Sequence, residues 1–399
     1  MNYNYKIKEI IANKELFGWI AQAMQLGKEK FLLKYASKLG SISGFIVEQI
    51  NVQNKLSVKL PSWQKYKCLY TLRSFEQSTA EKVAEYKSGL LSGKNLLVLG
   101  GGLGVDEWAF STKFETIESI DNDEELNELA KYNFGIHEQE NINRVTDTAE
   151  HFLSTDTKKY SAIYIDPDRR DDEKRQILLA EHQPNVLALM TFLLEKTENI
   201  WIKSSPLYDM DMALKELQNI KSIYSISLYG EVKEMLIQIK KNYNESPQII
   251  CVDILKDTIK EQVFLNEGNL SLQKAESLEG YLYEAGSSIV KMRKHHAYAT
   301  FNNLQLIDIN VPFYIGKIAI DGFIGKCFKI IDVLNFNTSQ LKTYFKKEKI
   351  TYINAKTRGI QFIETKDFYK KTGLKEGGEL YAWICPFLST NRVIICKKV

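Results

Sequence analysis

Apolar positions along the chain switch between two periods, and the switches outline its elements. Between Glu15 and Ala36 the apolar residues Leu16, Ile20, Met24, Phe31 and Leu32 return at helical spacing, separated by Lys28, Lys30 and Lys34. A connector with Pro61, Trp63 and Tyr66 follows, and residues 1–90 read as mostly helical. Ser78 followed three residues later by Glu81 predicts a capping box, opening a helix through Val83, Tyr86 and Leu90 that stops at Gly93. From 91 to 245 short apolar runs alternate with helical stretches. Strands are predicted at 96–99, 116–120, 143–146, 161–165, 200–203, 223–228 and 235–239, and helices at 123–133, 187–194 and 211–220. This alternation predicts an α/β fold with a doubly wound, Rossmann-like sheet. The short link before the last strand predicts that it runs antiparallel.

The C-terminal third is patterned differently. A strand is predicted at 248–255, then a helix within 281–298 that closes on the basic run at 291–296. From 326 onward the order reads strand (327–333), helix (338–347), strand (352–356), helix (365–372) and two strands (380–384, 392–396). That order suggests a small α+β, ferredoxin-like unit. Four domains are therefore expected: helical 1–90, Rossmann-like 91–245, a connecting α+β region 246–325, and a ferredoxin-like region 326–399.

The apolar run 96–99 breaks on glycines. Residues 95–106 read NLLVLGGGLGVD, a strand, a glycine turn and a return to helical spacing, which is a mononucleotide-binding βα unit. Gly100, Gly102 and Gly104 make G-x-G-x-G. Val105 stands where a dinucleotide fingerprint needs glycine, and no Lys-Ser or Lys-Thr follows, so neither that fingerprint nor a phosphate loop is present. Gln77, Ser78, Thr79 and Lys87 precede this turn and are candidates to touch a ligand in it; for Ser78 the alternative is a plain cap.

Composition narrows the class. The chain has 399 residues, 44% hydrophobic and 26% charged, with no apolar run long enough to span a bilayer. The N-terminus is polar and mixed in charge, without a visible secretory signal. Five scattered cysteines suggest reduced thiols in the cytoplasm and no zinc site. His137, His151 and His182 show no metal-ligand spacing. The net charge of +3 is uneven: +7 over residues 1–90, −11 over 91–250 and +7 over 251–399. Basic flanks around an acidic centre point to a polyanionic partner, RNA, unless the unevenness is chance.

The candidate chemistry lies at the strand ends, where open α/β sheets bind ligands. Consecutive strands end in the glycines, in Asp121 beside Asn122, in Asp147 beside Thr148, and in Asp166. If the ligand is S-adenosylmethionine, Asp121 suits the two ribose hydroxyls, Asp147 the adenine amine, and Asp166 the place where the methyl group meets its acceptor. Taken singly, Asp121 and Asp147 also read as helix caps.

These residues resemble the class I S-adenosylmethionine-dependent methyltransferases. LGGGLG at 99–104 resembles their first motif, and Asp106, Asp121 and Asp147 stand where cofactor contacts are expected. YIDPDRR at 164–170 takes the place of the catalytic Asp/Asn-Pro-Pro-aromatic motif. EQSTA (76–80), GLGVD (102–106), KSSP (203–206) and GEVKE (230–234) are similar to a bacterial subgroup with a C-terminal THUMP-like domain. The resemblance implies cofactor contacts from Ser78, Lys87, Gly100, Gly101, Gly102, Gly104, Asp106, Asp121, Asn122, Asp147, Thr148 and Asp166. It implies catalysis at Asp166, Pro167 and Arg169, and substrate contacts from Arg169, Arg170, Lys203, Ser204 and Pro206.

Two departures stand out. Val98 replaces the acid often found two residues before the first glycine. Asp168 and Arg169 replace the second proline and the aromatic, so Arg169 either stacks on a base, grips phosphate with Arg170, or bridges the neighbouring aspartates. The expected activity is methyl transfer to a base amine in rRNA or tRNA. The alternatives are a non-catalytic S-adenosylmethionine-binding RNA-binding protein, or a methyltransferase acting on a small molecule or a protein.

Overall fold

The computed structural model describes residues 5–169, 179–265, 273–308, 311–360 and 364–399. The chain divides into two compact units. The first comprises residues 1–223 and 234–247, the second 224–233 and 248–399.

In the first unit a parallel sheet is built from β1 (Gly93–Leu99), β2 (Phe114–Asp121), β3 (Ile142–Thr146), β4 (Ala162–Ile165) and β5 (Asn199–Ser204). Two further strands, β6 (Ile220–Leu228) and β7 (Glu231–Lys240), form a hairpin through Tyr229 and Gly230, both with positive φ. The tip of this hairpin, 224–233, is counted with the second unit. The order runs β7-β5-β4-β1-β2-β3, with β7 antiparallel to β5 as its short connection predicts. β1 lies at the centre because residues Leu96 to Leu99 are buried on both faces, and all four residues of β4 beside it are buried too. Leu187–Leu194 is found within an apolar helix Val186–Lys196, and the helix predicted to 220 ends at Glu216, where Ile220 already joins β6.

The N-terminal helices Leu16–Leu26 and Lys28–Leu39 are separated at Gly27, whose φ of +80° ends the first. With Ser41–Lys59 they bury Phe31, Phe45 and Trp63 in one core that also takes in Leu103, Val105 and Leu129. The helical layer and the glycine turn thus share a hydrophobic core, which holds the turn from below.

In the second unit, Gln248–Ile254 and Ile259–Phe264 form an antiparallel pair. A seven-stranded sheet follows in the order Gln305–Asp308, Val311–Gly316, Tyr281–Ala285, Gly325–Asn335, Thr390–Lys398, Leu380–Phe387, Asn354–Thr357. Helices Thr338–Lys347 and Thr365–Thr372 match their predicted bounds. The helix expected within 281–298 is short, Ser287–Lys291, and ends where the basic run begins. Residues Tyr281–Ala285 are a strand, and two short helices, Ser287–Lys291 and His295–Phe301, follow Gly286. The sheet claims the first segment because Leu282 and Tyr283 are fully buried between two neighbouring strands.

Candidate active site

The carboxyl ends of β1, β2 and β4 meet at the glycine turn. Gly100 takes φ +81°, and a Cβ there would strike the backbone carbonyl of Asp166. Glycine thus lets β1 and β4 close on each other at the sheet edge. Gly102 takes φ +55°, and a Cβ there would meet nothing within 4 Å. The turn therefore offers open space at Gly102 while being tightly packed at Gly100.

Asp121 fixes that turn. Its Oδ2 accepts from the Gly102 N–H at 2.9 Å and its Oδ1 from the Asp123 N–H at 3.0 Å. Asp123, not Asp121, caps the helix Glu124–Ile136, its carboxylate accepting from the Leu126 N–H. The cap alternative for Asp121 therefore falls to its neighbour. Asn122 is exposed beside it. From below, Arg144 donates to the Gly102 carbonyl (2.8 Å), Glu107 (2.7 Å) and Asn127 (2.8 Å), and Glu107 also accepts from Ser119. Burial pushes the Glu107 carboxyl up, and the Arg144 guanidinium works against it. Gly101 has no room for a Cβ against Arg144, Glu107 and Ser119.

Asp147 is half-buried and turned to its own helix. Its Oδ1 accepts from the Thr148 N–H and its Oδ2 contacts His151 Nδ1, both at 2.7 Å. Thr148 is the N-cap of Ala149–Thr155. Local capping thus accounts for the positions of both.

Asp166 follows β4, its N–H bonded to the Leu99 carbonyl at 3.0 Å. Its carboxylate pairs with Lys203 Nζ at 2.5 Å while its side chain keeps 35% exposure. Burial raises the Asp166 carboxyl, and Lys203 pulls it back. Lys203 stays charged: burial opposes this, but Asp166, Asp106 and Glu234 together raise its pKa. Pro167 is buried. Backbone pairing joins Asp168–Arg169 to His182–Gln183. The side chains of Asp168 and Arg169 and all of Arg170 lie outside the described residues. Ser204 is buried, with no hydrogen-bond partner for its hydroxyl among the described residues, and Pro206 is half-buried in the turn after β5.

Two sequence expectations are corrected before the turn. Ser78 is the C-cap of Leu72–Gln77, its hydroxyl donating to the Phe75 carbonyl, while the next helix is capped at Ala80 without a side-chain bond. The capping box fails because Glu81 instead accepts from the Ser62 N–H and hydroxyl. Lys87 is fully enclosed. Its ammonium lies 2.9 Å from Asp106, 2.8 Å from Glu234 and 2.7 Å from the Tyr164 hydroxyl, so it stands behind the ligand face rather than on it. Asp106 is buried with it and also accepts from Thr79 and Tyr164, each at 2.9 Å. Burial pushes Asp106 up, but Lys87 and Lys203 outweigh it and hold the carboxyl low.

Sequence reasoning missed Arg144, Tyr164 and Glu234 as parts of this site, and placed Thr79 near the turn as a possible ligand contact without its bond to Asp106. Arg144 was detectable as the one charged residue inside the short strand at 142–146. Glu234 lay in the GEVKE stretch, noticed but given no role. Among the described residues no group of three or more His, Cys, Asp or Glu is arranged to hold a metal ion. Nor, among them, is any helix long and apolar enough to cross a membrane.

Comparisons with known proteins bear on this architecture. Residues 325–398 match the family model described as THUMP domain-like. No curated protein matches the chain. Among solved structures, a protein of Porphyromonas gingivalis W83 described as a "putative methyltransferase" superposes with a TM-score of 0.86, at 24% identity over 99% of both chains. Smaller structures align with one part only. One is a protein of Streptococcus mutans described in the same words and holding S-adenosylhomocysteine (TM-score 0.31, 16% identity, 40% of this chain and 96% of that one). Another is described as an rRNA methylase of Streptococcus thermophilus (TM-score 0.30, 14% identity, 40% and 93%). The chain thus has a class I methyltransferase-like α/β sheet with an N-terminal helical region and a THUMP-like C-terminal region.

Proposed function

We propose that this protein transfers a methyl group from S-adenosylmethionine to RNA, at a base amine. One juxtaposition carries the reading: an open turn at Gly102 tied to the Asp121 carboxylate, with Asp166 on the same sheet edge. The residues fit the cofactor. Asp121 is oriented by two backbone N–H groups and, as a carboxylate, retains acceptor capacity for the two ribose hydroxyls. The space at Gly102 admits a ligand that a side chain would block. Asp147 retains acceptor capacity for the adenine amine.

When bound, the cofactor supplies a methyl group already activated on a sulfonium. The chain's task is orientation. Asp166 accepts a hydrogen bond from the incoming amine, aims its lone pair and takes its proton. Lys203 favours the ionised form of the Asp166 carboxyl against the opposing effect of burial and holds it in place. The fold shared with the P. gingivalis protein supports methyl transfer. The THUMP-like segment and the net +7 of residues 251–399 support RNA as the substrate. Five free cysteines suit a cytoplasmic enzyme.

The test is methyl transfer from radiolabelled S-adenosylmethionine to undermodified total RNA. Label is expected in RNA with the wild-type protein. Asp166→Ala is expected to bind the cofactor with unchanged affinity in calorimetry and to transfer no label. Cofactor binding with no transfer to any RNA, even by wild type, would end the reading of RNA as substrate and leave a binding protein or a methyltransferase of a small molecule or protein.

A further inference from the structure

Five ionisable side chains form a single file that ends at Asp166. Glu234 Oε1 lies 2.8 Å from Lys87 Nζ, and Lys87 Nζ 2.9 Å from Asp106 Oδ1. Asp106 Oδ2 lies 3.9 Å from Lys203 Nζ, which is 2.5 Å from Asp166 Oδ2. Lys87, Asp106 and Glu234 are buried. The signs alternate, so each ammonium sits between two carboxylates. A file that served only to cross-link the fold would be best balanced, because an uncompensated buried charge is costly. With every group ionised, this one holds three carboxylates and two ammoniums, one negative charge in excess. Its only substantially exposed member is Asp166, at the ligand edge.

Resting on the reading of this site as an amine methyltransferase, we propose that the file is the seat of the reaction's proton. Glu234, Lys87, Asp106 and Lys203 act as positioning residues that orient Asp166 and ready it for one proton. In the step, the amine lone pair forms the new N–C bond as the C–S bond breaks, and the C–S electron pair stays on sulfur. The nitrogen, now carrying one proton too many, gives that proton to Asp166. The file then becomes neutral, and the proton leaves to water when product departs. The groups that face Asp166 are Lys203 from β5, Asp106 from the helix Val105–Phe110, Lys87 from the helix Glu81–Ser88 and Tyr164 from its own strand. Burial raises both terminal acids, Asp166 and Glu234, while the two lysines hold the middle acid, Asp106, low. The ends are thus the sites where a proton is most readily held.

The file is tested by ¹³C NMR titration of protein labelled at its aspartate carboxyls, with S-adenosylhomocysteine bound and the Asp166 signal assigned through Asp166→Asn. Glu234→Gln removes the excess charge and is expected to lower the Asp166 pKa by about half a unit or more. The double variant Lys87→Met/Glu234→Gln restores the excess and is expected to bring the value back up. The acid limb of methyl transfer should move in the same directions. An Asp166 pKa unchanged across the three proteins would overturn the proposal, whatever their activity. Shifts that follow the charge count in proteins showing no RNA methylation would uphold the coupling of the file to Asp166 and reject only the reading of RNA as substrate.

Discussion

At the scale of single residues, the site separates groups that would touch ligand from groups that hold them. Asp121 belongs to the first kind: its two backbone bonds fix the carboxylate without saturating it. Asp121→Ala is expected to weaken S-adenosylmethionine binding by about 1.5–3 kcal/mol, the range for hydrogen bonds to a charged group. Calorimetry showing unchanged affinity would remove Asp121 from the site. Lys203 belongs to the second kind. Burial raises the Asp166 carboxyl and Lys203 opposes that rise, so removing the ammonium leaves the ionised form less favoured. Lys203→Met should therefore move the acid limb of the pH–rate profile upward, with more of the enzyme inactive at neutral pH. A limb that stays put or moves down would show that Asp166 does not act as the ionised group.

At the scale of elements, what was legible and what was not have a common cause. The parallel strands were readable because burial on both faces leaves short unbroken apolar runs, as in residues 96–99 and 162–165. The helices Thr338–Lys347 and Thr365–Thr372 were readable because each is amphipathic and ends in lysines. The strand Tyr281–Ala285 was not picked out because a short apolar segment followed by Gly286 fits strand or helix until its neighbours are known. The aspartates of the site were legible from their places after strands, whereas their buried lysine and glutamate partners depend on contacts 19 to 147 residues apart in sequence, which no local pattern encodes. The junction of the helical layer with the sheet is another such contact. His137, after the helix Glu124–Ile136, packs on Trp63 and Tyr66 with ring centres 4.8 and 4.6 Å away, and its Nε2 lies 3.3 Å from Cys68 Sγ. Burial lowers its pKa from 6.5 to about 4. The folded state therefore binds this proton more weakly than the unfolded chain does. The stability contributed by neutral His137 is full above about pH 6.5 and is lost as pH falls toward about 4. Urea midpoints should fall between pH 7 and pH 5 in wild type, and less steeply in His137→Phe. Equal slopes would exclude His137 as a cause.

At the scale of the molecule, charge separates the parts that would meet cofactor and RNA. Residues 91–250 carry −11 and residues 251–399 carry +7. In the THUMP-like segment, Lys342, Lys346 and Lys375 line a cleft of about 470 Å³ together with Tyr352, whose side is open to solvent. Lysines paired with an exposed aromatic suit a nucleic-acid strand, the charges meeting phosphates and the ring a base. Removing the segment whole is a poor test. Gly325–Asn335 pairs with Tyr281–Ala285 and with Thr390–Lys398, so truncation at 326 would expose unpaired sheet edge. Point substitution avoids this. Each lysine that neutralises a phosphate steepens the fall of RNA affinity with salt, by about 0.7 in the log–log slope for a single strand. Lys342→Glu/Lys346→Glu/Lys375→Glu is therefore expected to weaken RNA binding and to flatten the slope by about 2. Affinity for S-adenosylmethionine should not change, because its expected contacts lie in the other unit. A gel-shift series against salt, with calorimetry on the same two proteins, reads both quantities. An unchanged slope would mean that RNA, if bound, is held elsewhere. A parallel loss of cofactor affinity would mean that the substitutions had damaged the fold rather than a binding surface.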